Sequence, residues 1–159
     1  MYIEDPAVDA KNEWREMSQR LLVNAENAVN QSAERVFMIV DFTSAESRLK
    51  LQYQIDGKLI DWQDLPDKEM KHQVQKQLIA QVPEVVAYIN EQYKLAEVEP
   101  LTFVELQLEM ATFAWFSHQV NDVTLTIDEL ASGWKKLLEQ CHEEYAFDSD
   151  QALPWFPKI

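Results

Sequence analysis

The side chains able to do chemistry in this 159-residue chain are few and scattered. The three histidines, His72, His118 and His142, fall on three different predicted elements, and none stands in an HExxH spacing. Cys141-His142-Glu143-Glu144 places four residues of metal-ligand type in a row. On a helix, however, successive side chains diverge by about 100° and do not converge on one ion. That run therefore reads as structural or surface. Cys141 has acids around it and no cation to favour a thiolate, so it reads as an inert, buried thiol. Glu105 and Glu109 project from one strand face with Gln107 between them, roughly 13 Å apart at the rise of a strand. A glycosidase-type pair needs about 5–10 Å. Asp148 and Asp150 have no visible partner, and two glycines, Gly57 and Gly133, are too few for a dinucleotide fingerprint or a phosphate loop. The residues predict no catalytic group, no metal and no cofactor.

Charge is the concentrated property. The chain carries 14 Lys+Arg against 28 Asp+Glu, a formal net charge of −14. No base occurs between Lys94 and Lys135, a window that holds Glu97, Glu99, Glu105, Glu109, Asp122, Asp128 and Glu129. Such a balance repels nucleic-acid phosphates and anionic membranes, and it suits a basic protein partner or simple solubility. Aromatic residues interleave with these acids. Trp14, Trp62 and Trp134 fit inward faces, which leaves Trp115 and Trp155 as the exposed pair. Glu105, Glu109, Trp115 and Asp122, with Glu97 and Glu99, are the expected partner-binding residues. No apolar run reaches the roughly 18–20 residues of a membrane span. The start of the chain is acidic, and one cysteine makes no internal disulfide, so a cytoplasmic location is expected.

The elements that must position these residues follow from periodicity. Trp14, Met17, Leu21, Ala25 and Ala28 recur at helical spacing over Asp9–Gln31. Arg35–Thr43 is almost continuously apolar, the pattern of a strand buried on both faces. Ser47–Ile55 alternates, and Asp56-Gly57 before Lys58–Trp62 is a type I′ hairpin signal. A helix begins near Asp64-Leu65-Pro66-Asp67 and runs through Tyr93, with a bend just before Pro83. Val104, Leu106, Leu108 and Met110 face opposite to Phe103, Glu105, Gln107 and Glu109. Thr112–Val120 is a further strand, joined by a weakly marked turn that leaves a hairpin and one bent strand both open. Ile127–Tyr145 is a last helix with Leu130, Trp134, Leu137, Leu138 and Cys141 inward, before an extended tail over 146–159. The order α-βββ-α-ββ-α predicts a single α+β domain over 1–159, with a mainly antiparallel sheet of about five strands.

This order resembles that of the YezG-like immunity proteins of bacterial polymorphic toxin systems. The residues that carry the resemblance are Val36–Phe42, the Leu49–Trp62 hairpin with Asp56-Gly57, and Phe103–Glu109 followed by the aromatic Phe113–Phe116. It spans about residues 12–120 and rests on element order and a few aromatic and acidic positions. Where the family usually has a glycine between its last two strands, this chain has Met110-Ala111. The resemblance implies a non-enzymatic antitoxin that binds a basic toxin, a nuclease domain, through its acidic surface. A DNA-mimic or anti-restriction protein and a small-ligand module on the same sheet are the alternatives. A homodimer is compatible with the same aromatic residues.

Overall fold

The structure is a computed structural model, and it describes residues 5–43, 49–111, 113–120 and 126–140, the last five of these by backbone alone. Helix α1 (Pro6–Ala28) leads into strand β1 (Arg35–Asp41), then β2 (Leu49–Ile55) and β3 (Lys58–Asp61). A single 3-10 turn over Trp62–Asp64 precedes helix α2 (Lys68–Val74), a π-helical turn over Gln75–Ile79 and helix α3 (Val82–Leu95). Strands β4 (Phe103–Glu109) and β5 (Ala114–Val120) and helix α4 (Ile127–Gln140) complete it. The five strands form one antiparallel sheet in the order β3-β2-β1-β4-β5. This is an α+β fold.

Local chemistry explains the boundaries. Asp5 caps α1 by accepting from the Ala7 amide, with Pro6 in the first turn. Asp67 caps α2 by accepting from the Glu69 and Met70 amides. The expected bend before Pro83 is present: Ala80 and Gln81 break the helical run, and Pro83 sits in the first turn of α3, where its missing N–H costs little. Asp56 and Gly57 both have positive φ, 51° and 76°, as a type I′ turn requires. The weakly marked turn resolves as a hairpin. Met110 and Ala111 turn the chain, and Phe113 takes the left-handed conformation, φ 55°, that glycine would enter without strain.

The sheet has two covered faces. On one side, α1, α2 and α3 pack over Val36, Met38, Val40, Leu51, Tyr53, Val104, Leu106 and Leu108, all buried. Trp14 of α1 meets Phe42 edge-on, with centroids 4.9 Å apart. On the other side α4 packs with Leu130, Ala131 and Trp134 on a smaller cluster, Phe37, Ile39, Phe103 and Val120. Trp134 lies 5.5 Å from the Phe37 ring. The continuous apolar run of β1 follows from this, since β1 is the central strand and feeds both layers. Among the described residues no helix is long and apolar enough to cross a membrane. The tail over 146–159, with Trp155, lies outside the described residues.

Candidate functional site

The α4 side of the sheet is where this protein departs from an ordinary core. Pairing register places side chains of neighbouring strands in rows across it. One row reads Lys50, Ile39, Glu105, His118; the next reads Gln52, Phe37, Gln107, Phe116; the third reads Gln54, Arg35, Glu109, Ala114. Polar groups thus alternate with the apolar residues that α4 covers. In the third row Arg35 donates from Nη1 to Gln54 Oε1 at 2.7 Å and places Nη2 3.5 Å from Glu109 Oε1. All three residues are buried.

Glu105 is different. It is 1 % exposed, and neither carboxylate oxygen has a hydrogen-bond partner. Ile39 stands beside it on β1 and Phe103 two residues earlier on its own strand, both members of the α4 cluster. Burial pushes its carboxyl up to about 8, because the charged form loses water and gains nothing in return. His118, opposite it on β5, is exposed, and the missing hydrogen bond at Glu105 means the two form no acid–base dyad.

The expected binding residues are therefore divided by the fold. Glu105 and Glu109 do share one face, as their alternation requires, but that face is covered. Both are buried, where an exposed docking surface was expected. Trp115, expected to be exposed, is half-buried and packs against the main core. Glu97 and Glu99 are exposed, Glu97 with a left-handed φ of 56° just after α3. Asp122 lies outside the described residues, as does the Cys141-His142-Glu143-Glu144 run.

The exposed acids lie elsewhere. Glu97 and Glu99 lead into the start of β4, which pairs with the end of β5 through Phe103 and Val120. Chain leaving β5 at that end returns as α4, whose first turn carries exposed Asp128 and Glu129. Asp128 reaches Lys50 at 3.3 Å, and Lys50 sits near the same end of β2. Two exposed acid pairs are thus present, Glu97 and Glu99 between α3 and β4, and Asp128 and Glu129 in the first turn of α4. A further exposed group, Asp64, Asp67 and Glu69, follows β3, and sequence reasoning missed it as a surface because its residues read as helix-start signals.

Between the β2–β3 hairpin and α4 lies an open cleft of about 830 Å³. Lys50, Lys58 and Lys135 line it together with Asp61, Asp64 and Asp128. Lys50 is held by Asp61 at 3.1 Å as well as by Asp128. Among the described residues no group of three His, Cys, Asp or Glu could hold a metal ion. No family model matches the chain, and no curated protein matches its sequence.

Proposed function

We propose that this chain is a non-enzymatic immunity protein that binds and neutralises a cationic toxin domain, of nuclease type, through an exposed acidic surface. The observation that carries the reading is the exposure of the acids Glu97, Glu99, Asp128 and Glu129 on a chain of net charge −14. Toxins that grip a polyanion are basic, and an acidic inhibitor meets them by electrostatic steering. Glu105 and Glu109 are buried and do not serve this surface, so the contact shifts to the exposed acids. A cytoplasmic location belongs to the same reading, since an antitoxin acts where the toxin arrives.

The test is recovery of a basic partner from the native host at low and high salt, followed by nuclease inhibition and stopped-flow association with the purified partner. Glu97→Lys, Glu99→Lys, Asp128→Lys and Glu129→Lys together should slow association about tenfold or more at low salt, with less change in dissociation. Undiminished association by the fourfold variant rejects this surface. Capture of an enzyme that duplex DNA competes away points to the DNA-mimic reading instead.

A further inference from the structure

The buried, partnerless carboxylate of Glu105 is unused by the acidic-surface reading, and its position suggests a device. Among the described residues, one helix, α4, packs on the cluster that flanks Glu105 through Ile39 and Phe103. That helix is anchored by Leu130, Ala131 and Trp134, with Ile127 partly buried beside them. The indole N–H of Trp134 also has no hydrogen-bond partner, although the residue is fully buried. One ion pair, Lys50 with Asp128, ties α4 to the sheet among the described residues, and the Asp128 side chain is 80 % exposed. The opposite layer is built otherwise, from three helices over a much larger apolar cluster.

We propose that α4 is a pH-released flap, which lifts from the sheet as Glu105 ionises on reaching water. Among the described residues, none is placed to hold the charge of Glu105 by a hydrogen bond. On β1 its neighbour is Ile39, with Arg35 and Asp41 in other rows, and Arg35 is engaged by Glu109 and Gln54. On β5 the facing group is His118, which makes no hydrogen bond to it. Lys50 lies two strands away and is held by Asp61 and Asp128. The described charged residues of α4, Asp128, Glu129 and Lys135, are all exposed. Among the described residues, opening of α4 is the route by which the carboxylate reaches water.

The direction of the response follows from linkage. Below the ordinary carboxylate range, near 4.5, Glu105 is protonated whether α4 is closed or open. Between there and about 8 the open form is ionised and the closed form still holds its proton. Opening becomes more favourable through that window, by up to about tenfold per pH unit. Above about 8 both forms are ionised and the response is flat.

Amide hydrogen exchange on the full chain, corrected for the intrinsic pH dependence of exchange, reads this directly. Protection of α4 amides should fall at least about tenfold between pH 5.5 and 7.5, while those of α1 and β1 stay protected. Glu105→Gln, and Glu105→Met as a second variant, should keep α4 protected across the range. Glu26→Gln, which removes a buried carboxylate from the other layer, and Asp128→Asn should leave the α4 response in place. A flat wild-type profile overturns the proposal. So does a slope that survives in either Glu105 variant, one abolished by Glu26→Gln or Asp128→Asn, or simultaneous loss of protection in all elements.

Discussion

The two faces of the sheet solve the same packing problem with different materials. The face under α1, α2 and α3 is filled by Val36, Met38, Val40, Leu51, Leu106 and their neighbours. The face under α4 puts Arg35, Gln52, Gln54, Glu105, Gln107 and Glu109 among a few large apolar residues. Apolar packing is tolerant in chemistry and demanding in volume, whereas buried polar groups are demanding in their partners. Each layer nevertheless carries one carboxylate without a hydrogen-bond partner, Glu26 in the first and Glu105 in the second. The apolar layer can hold such a residue because many other contacts support it. In the thinner layer the same residue decides how firmly the cover is held.

The strongest check on that contrast is a cavity in the apolar layer. Leu106 is fully buried on β4 and faces the three helices. Leu106→Ala should cost about 3 kcal/mol, read from chemical denaturation followed by far-UV circular dichroism. A loss below about 1 kcal/mol would mean that this layer relaxes easily and is not the rigid half of the molecule.

Next in size is the polar row. Glu109→Gln leaves Arg35 with a weaker partner and Arg35→Met leaves Glu109 buried without its cation, so each single change should destabilise by about 2–3 kcal/mol. The double variant Arg35→Met, Glu109→Met should lose less than the sum of the singles, because apolar replacements of similar volume remove both desolvation penalties. Additive losses in a double-mutant cycle would show the pair to be uncoupled.

Glu26 and Glu105 sharpen the comparison through pH. Burial pushes Glu26 up to about 7 and Glu105 up to about 8. For a carboxyl raised on folding, the native state binds the extra proton, so stability falls as pH rises from near 4.5 to the folded value and is constant above it. Glu26→Gln should therefore flatten part of the decline below pH 7 and stabilise the protein by about 1–2 kcal/mol at pH 8, with the slope between 7 and 8 unchanged. Thermal unfolding across pH 5–8.5 distinguishes the two carboxylates, since that last interval belongs to Glu105.

Much of this architecture is legible in the sequence. The five strands, the I′ turn at Asp56-Gly57 and the break before Pro83 each have a local cause, so local pattern finds them. The β4–β5 hairpin is ambiguous in the sequence because its left-handed position carries Phe113 rather than glycine. The inner face of α4 was readable at Leu130 and Trp134. Accessibility of Glu105 and Glu109 was not. Alternation says which side of a strand a residue takes, and whether another element covers that side is a long-range fact. The two acids of β4, expected from sequence to bind a partner, belong to a strand held between β1 and β5. The exposure of Glu97, Glu99, Asp128 and Glu129 has the same origin, since only the folded chain shows which acids stay at the surface.

The smallest expected effect concerns what holds α4 down. Asp128 reaches Lys50, yet its side chain is 80 % exposed and Lys50 retains Asp61 at 3.1 Å when Asp128 is changed. Exposed ion pairs of this kind contribute little, because water and salt screen them and two long side chains lose freedom. Asp128→Asn should change stability by less than about 0.5 kcal/mol, and raising the salt concentration should alter wild-type α4 protection as little. Trp134→Phe, which trims the buried anchor against Phe37, should loosen α4 more than Asp128→Asn does. The reverse order, seen by hydrogen exchange on α4, would make the helix an electrostatic clasp. It would also move the origin of its weakness from the polar sheet face to the rim.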